Sequence, residues 1–429
     1  MSAHSTAGEI RVHPPRGAGA GASRQRPRVL VLQDFYLPGE KVGGPVWAVA
    51  NMVEGLGDRF EFMIAALDRD FMSDAPYPLI DRENWNPAGK GRVFYASRFS
   101  ARNLLRLIRA SAPDILYLNS FFWRSTVRAL LLRRAGWIPG VPFVLAPHGE
   151  FSEGALQLKA HKKKAYLAFA RAAGLCSNVL FHASTPLEES EIRKVMGARC
   201  RVGVAPEFPP LPPPVAVPGA QPSRSKPHKR PGELRLVFLS RITPKKNLLH
   251  ALRVLRGIPG EVALDIFGPI EDPAYWQQCQ REIARDSREV RCRYRGIVPH
   301  AQVAETVSRY HMFVLQTLGE NFGYAILEAL LAGSPVLISD RTPWRNLAAQ
   351  QLGWDLPLNE PAQWESALRE AVDMDQARYA RFSTAASNFA AAWMNSREPQ
   401  QRTMALLERA LESPPAVAPG VCRPPQEVR

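Results

Sequence analysis

The sequence of 429 residues predicts two doubly wound α/β domains joined by a proline-rich linker. Three observations carry this. Short apolar runs alternate with amphipathic stretches in both halves of the chain, the pattern of parallel strands connected by helices. Residues 206–231 contain ten prolines, a composition that admits neither a helix nor a central strand. The segment 315–347, LQTLGENFGYAILEALLAGSPVLISDRTPWRNL, reads as strand end, loop, helix and strand. That is the unit of a parallel sheet whose ligand sits at the strand ends. The expected division is a disordered tail over 1–26, a first domain over 27–205 and a linker over 206–232. A second domain over 233–395, a terminal helix over 396–412 that crosses back to the first domain, and a disordered tail over 413–429 complete it.

Taken in order, residues 28–32 (RVLVL) form a buried strand, and Gly43-Gly44 precede a helix carrying Val46, Val49, Ala50, Val53 and Leu56. A glycine pair at a strand-to-helix turn lets backbone approach a ligand, or simply makes a tight turn. Strands are expected at 60–67, 92–95, 114–119, 143–146 and 179–182, with helices at 100–111, 125–135 and 155–173. His148 follows the strand 143–146, the position where such sheets bind ligands. Ser184 to Glu189 is a capped helix start. The helix 155–173 sets Lys159, Lys162, Lys163, Lys164 and Arg171 beside Leu156, Leu158, Tyr166, Leu167 and Phe169. It has two readings: a domain helix with its lysines in water, or a basic amphipathic helix lying on an anionic membrane surface.

The second half opens with a strand at 234–239, then Arg241 and Lys246 in a strand-to-helix turn suited to a diphosphate. Strands 262–267 and 290–294 alternate with helices 275–284 and 301–310. The strand 312–315 leads into the loop of Glu320, and a helix begins near Gly323 with Ile326, Ala329 and Leu330 on one face. The amides of Phe322, Gly323, Tyr324 and Ala325 form its first turn, a site for phosphate oxygens. Glu320 and Glu328 bracket this turn and can face one crevice. A strand at 335–338 follows, then a further helix start at Asp340 to Trp344 and helices at 364–372, 378–393 and 397–411.

The string G-E-x-F-G-x-x-x-L-E-A-x-x-x-G between two strands resembles the E-x7-E signature of retaining glycosyltransferases of family 4. The resemblance implies the GT-B fold, two Rossmann-like doubly wound domains facing a central cleft. It implies that Glu320 holds the donor sugar, that Glu328 binds the nucleotide ribose and that the Gly323 to Ala325 amides meet the diphosphate. Arg241 and Lys246 match the family's phosphate pair, and Gly43-Gly44 its glycine pair near the donor phosphates. The string APHGEFSEGALQLKAHKKKAYL is similar to a family segment whose histidine, here His148, contacts the sugar, with Glu153 and Lys159 as weaker candidates. The backbone at Ile297 and Val298 would face the base. Two departures stand out: Asn247 replaces a usual glycine, and Pro206-Glu207 replaces the usual Pro-Asn at the domain junction.

The expected reaction moves a sugar from a nucleoside-diphosphate donor to a glycan or lipid-linked acceptor hydroxyl, with retention. Arg241, Lys246 and the helix N-terminus stabilise the departing diphosphate, so no metal and no cofactor are expected. A nucleotide-sugar epimerase or a catalytically silent GT-B nucleotide-binding protein is the alternative. Apolar content of 46% and charged content of 22% suit a soluble globular protein, and no apolar run is long enough to span a membrane. Five scattered cysteines and no secretory signal fit a reducing cytoplasm. The net charge of +15 suits anionic partners, yet no nucleic-acid module is present.

Overall fold

The computed structural model describes residues 26–39, 41, 43–138, 140–210, 226–285 and 290–412. The expectations for 1–25, 413–429 and most of the linker, 211–225, lie outside the described residues. The chain divides into two compact units. One comprises 1–151, 159–208 and 398–429, and the other 152–158 and 209–397.

In the first unit the strands are β1 (Arg28–Leu32), β2 (Glu61–Leu67), β3 (Trp85–Ala88), β4 (Gly91–Ala96), β5 (Ile115–Asn119), β6 (Phe143–Ala146), β7 (Leu180–Ala183) and β8 (Arg201–Val204). They form one sheet in the order β3-β4-β2-β1-β5-β6-β7-β8, parallel throughout except for the β3–β4 hairpin. Its helices along this stretch are α1 (Gly44–Leu56), α2 (Ala101–Ser111), α3 (Arg124–Arg134), α5 (Ala160–Ala172) and α6 (Pro186–Met196), while α4 (Glu153–Gln157), between α3 and α5 in the chain, belongs to the other unit. The apolar run of β1 supplies both faces of the sheet. Leu30 and Leu32 join one core layer, and Val29 and Val31 the other. Local chemistry sets the helix starts: Ser100 accepts from Asn103 N at 3.1 Å, and Thr185 from Glu188 N at 3.1 Å.

In the second unit the strands are β9 (Glu233–Leu239), β10 (Glu261–Phe267), β11 (Val290–Gly296), β12 (Met312–Leu315), β13 (Val336–Ser339) and β14 (Gly353–Leu356). Their order is β11-β10-β9-β12-β13-β14, all parallel. Helices α7 (Leu248–Val254), α8 (Pro273–Ile283), α9 (Val303–Ser308), α10 (Tyr324–Leu331), α11 (Pro361–Asp373) and α12 (Gln376–Met394) accompany it. The last helix, α13 (Glu398–Leu411), belongs to the first unit, where Leu406, Leu407 and Ala410 enter the core with Val46, Val49 and Val53 of α1.

Each sheet reverses its strand order once, between β1 and β5 in the first unit and between β9 and β12 in the second. These switch points are where loops diverge and a crevice opens at the strand ends.

Two sequence expectations need correction. The helix expected over 155–173 is two helices, broken at Lys159, whose φ of 55° places it in the left-handed region. Asp340 to Trp344 does not begin a helix. There the Thr342 hydroxyl accepts from Trp344 N at 3.3 Å, and Trp344 is buried against Phe322, Phe389 and Trp393. That side-chain turn outcompetes the helical first turn that Asp and Pro suggest. Three strands went unforeseen, β3, β8 and β14, and all are sheet edges. An edge strand pairs on one side only and needs no long apolar run, so its sequence signal is weak.

Candidate active site

The loops after β9 and β12 meet at the second unit's switch point. Leu318 N donates to Lys245 O at 2.8 Å and the Thr317 hydroxyl to the same oxygen at 3.1 Å, joining the two loops. This brings Lys246 Nζ to 2.5 Å from Glu320 Oε1, with 14% and 10% of the two side chains exposed. Burial alone would push the Glu320 carboxyl up. Lys246 and Lys245 outweigh it and hold the carboxyl below its ordinary value. Glu320 N donates to Arg341 O at 2.9 Å, which fixes the loop on its far side.

Gly323 then starts α10 with a φ of +83°, and no side chain caps the helix. A Cβ at Gly323 would lie 2.9 Å from Ile326 Cδ1, the movable tip of a side chain, so the left-handed backbone and not crowding calls for glycine. The resulting first turn presents the positive end of the helix dipole beside Lys246 and Glu320.

Other sequence candidates of this unit sit with partners of their own. Arg241 pairs with Glu271 at 2.7 Å, and Glu328 with His300 at 3.0 Å. Neither Glu271 nor His300 was singled out from sequence. Each makes its contact across about 30 residues of chain, which leaves no local signal. Ile297 follows β11 with its side chain 66% exposed, and Val298 packs on the core.

In the first unit, His148 and its neighbours gather at the ends of β5 and β6. His148 adopts a φ of 51° and Gly149 one of 69°, a left-handed pair that turns the imidazole back over the sheet. Its Nδ1 lies 3.2 Å from Glu207 Oε1, and its Nε2 hydrogen-bonds Asn119 Oδ1. Glu188 Oε1 accepts from Gly149 N at 2.7 Å and secures the turn. Burial works against charge on His148, but the Glu207 hydrogen bond and carboxylate, helped by Glu188 and Glu150, raise its pKa above the ordinary value. Glu153 and Lys159 are exposed. Gly43 caps α1 at a φ of 76° with open space around it, so backbone conformation and not crowding explains this glycine.

The sequence holds two Asp-x-Asp strings that the metal-free expectation passed over, Asp68-Arg69-Asp70 and Asp373-Met374-Asp375. Asp68 pairs with Arg69 at 2.9 Å, and Asp375 caps α12 through Arg378 N at 2.7 Å. Both have structural work in the fold. Among the described residues no group of three or more His, Cys, Asp or Glu could hold a metal ion.

A two-unit parallel-sheet fold with this switch-point cluster is that of the GT-B glycosyltransferases. The sucrose-phosphate synthase of Thermosynechococcus elongatus matches 90% of this chain over 99% of its own, at 16% identity and a TM-score of 0.64. Anabaena Alr3699/HepE, solved in complex with UDP and glucose, matches 90% of this chain over 100% of its own, at 15% identity and a TM-score of 0.63. Residues 220–389 match the family model of glycosyl transferases group 1, and residues 43–206 match that of the glycosyl transferase 4-like domain. The chain belongs to the group 1 glycosyltransferases. O-antigen chain mannosyltransferase B of Escherichia coli is 30% identical over 112 residues. That match spans 25% of this chain and 28% of the relative.

Proposed function

We propose that the protein transfers a sugar from a nucleoside-diphosphate sugar to an acceptor hydroxyl with retention of configuration, in the synthesis of a polysaccharide or lipid-linked glycan. The observation that carries this reading is the joining of the β9 and β12 loops, which sets Lys246 and Glu320 beside the uncapped start of α10. A departing diphosphate gains negative charge. A lysine, a nearby arginine and a helix N-terminus are the groups that stabilise it. In this reading Glu320 orients the donor sugar, Glu328 takes the ribose, and the protein cations do the work that a divalent metal does elsewhere. Retention and the roles of these residues come from the resemblance of 319–333 to the family signature. A glycan acceptor is favoured by the O-antigen mannosyltransferase relative.

Thermal unfolding against a panel of nucleoside diphosphates and nucleotide sugars, with and without EDTA, tests the donor site. At a hundred times its dissociation constant a ligand stabilises by about 2.7 kcal/mol. One nucleotide class should raise the melting temperature in EDTA, and Lys246→Ala and Glu328→Ala should lose the shift. Absence of any shift with every nucleotide, with or without magnesium, would reject the reading.

We also propose contact with an anionic membrane surface through the first unit. Only Ala170 of α5 is buried, and Phe169 is 51% exposed. Arg134 Nε donates to Ala173 O at 2.8 Å, tying the C-terminal end of α3 to that of α5. Exposed Leu131 and Trp137 thus lie on the same unit as Lys162, Lys164 and Arg171. Apolar tips among cations suit an acidic lipid interface. Sedimentation with acidic vesicles but not neutral ones, weakened by salt, is the expected result.

A further inference from the structure

Resting on the transfer reading above, we infer that Glu207 is a positioning residue that holds His148 as a doubly protonated imidazolium, a fixed donor and positive charge and not a base. Glu207 stands where the resembling family carries asparagine, so the feature belongs to this chain.

Asn119 Nδ2 lies 2.9 Å from Gln33 Oε1 and 3.2 Å from the carbonyl of Pro45. A carbonyl only accepts, so the atom facing it is the amide nitrogen. Gln33 is itself oriented, because its Nε2 donates to the Phe35 carbonyl. Asn119 therefore turns its oxygen to His148 Nε2, which must carry a proton. The other ring nitrogen, Nδ1, faces the Glu207 carboxylate at 3.2 Å, with 8% of each side chain exposed. Two acceptors on two ring nitrogens call for two protons.

His182, which lines the same small cavity with Tyr117, Asn119, His148 and Glu207, is arranged in the opposite way. Its Nε2 donates to the Ala205 carbonyl at 2.9 Å, and its Nδ1 lies 2.7 Å from the Tyr117 hydroxyl, a group that can donate as well as accept. Burial lowers the pKa of this ring, which favours the neutral form with Nδ1 accepting from the hydroxyl. Two adjacent histidines are thus driven to opposite charge states.

The remaining ionisable groups around His148 are carboxylates already engaged by backbone donors. Glu188 on α6 accepts from Gly149 N and Ser184 N. Glu150 accepts from the Ser120 hydroxyl and from Phe121 N, with Lys163 of α5 in its field. Glu207 alone among them reaches the imidazole by a direct contact. An imidazolium has no lone pair for a proton. With both N–H groups engaged by Asn119 and Glu207, His148 can then stabilise negative charge through its field, and it cannot deprotonate the acceptor hydroxyl.

The test is ¹⁵N NMR of the full chain labelled at histidine, with the His148 signals assigned by difference against His148→Gln. Both ring nitrogens should be protonated at neutral pH without any nucleotide sugar. Glu207→Gln and Glu207→Asn should lower the His148 titration midpoint by about one to three pH units, the effect of an adjacent opposite charge. In turnover, the limb of kcat that falls at high pH should move down by the same amount in these variants. A neutral His148 ring at neutral pH would overturn the proposal, as would a midpoint unchanged in Glu207→Gln or activity that rises with pH through the His148 midpoint. Should the variants not fold, the wild-type spectrum decides the charge alone. Wild-type protein that turns over no nucleotide sugar would reject the transfer reading, while the spectrum still decides the charge.

Discussion

Replacing Lys246 by alanine should destabilise the second unit strongly, and more at neutral than at acidic pH. The lysine and Glu320 are 2.5 Å apart and 14% and 10% exposed, so they form a buried pair and not a surface one. Removing one partner of such a pair costs about 3–5 kcal/mol, because the other charge is left without compensation. For a domain of about 150–250 residues each kcal/mol is worth about 2–4 °C, so the melting temperature should fall by roughly 6–20 °C. The pH dependence supplies a second reading. In the wild type the folded pKa of Glu320 is lowered, so the carboxylate contributes stability above its unfolded pKa. That contribution is lost as pH falls through the folded value. In Lys246→Ala burial is opposed only by Lys245 and the Thr317 hydrogen bond, the carboxyl is pushed up, and protonation relieves it. The deficit of the variant should therefore shrink as pH falls. Scanning calorimetry of both proteins between neutral pH and the carboxylate range measures it, with Lys246→Ala/Glu320→Gln to close the cycle. A loss under about 1 kcal/mol that does not vary with pH would mean the pair is screened like a surface ion pair, refuting the argument.

Gly323→Ala should cost about 1–2 kcal/mol, from the left-handed backbone, and should weaken nucleotide binding more than thermal stability suggests; calorimetric titration with the nucleotide checks it. Tyr117→Phe leaves His182 Nδ1 buried without its donor, so a loss of about 1–3 kcal/mol in denaturant unfolding is expected. Leu407 of α13 is fully buried in the first unit's core, and Leu407→Ala should destabilise that unit by about 2–5 kcal/mol. A change below 1 kcal/mol would show that α13 does not stay docked.

Much of the second unit could be read from the chain, because its signals are local. The strand of 312–315, the glycine at 323 and the apolar positions Ile326, Ala329 and Leu330 lie within twenty residues of one another, and each has a direct physical cause. The family signature over 319–333 named the same residues. Central strands such as β1 and β12 were legible because burial on both faces demands an unbroken apolar run.

What the sequence by itself determined is the set of interior strands and helices, the class of fold and the residue types at its phosphate-binding loops. Tertiary structure alone decided the partners. His148 meets Glu207 and Asn119, Arg241 meets Glu271, and Glu328 meets His300, all through contacts between segments about 30 or more residues apart. It also decided the edge strands β3, β8 and β14, which pair with a single neighbour, and the break at Lys159. The physical reason is the same in each case. Propensity and periodicity are properties of neighbouring residues, whereas a hydrogen bond or ion pair between distant segments exists only once the sheet has set their loops side by side.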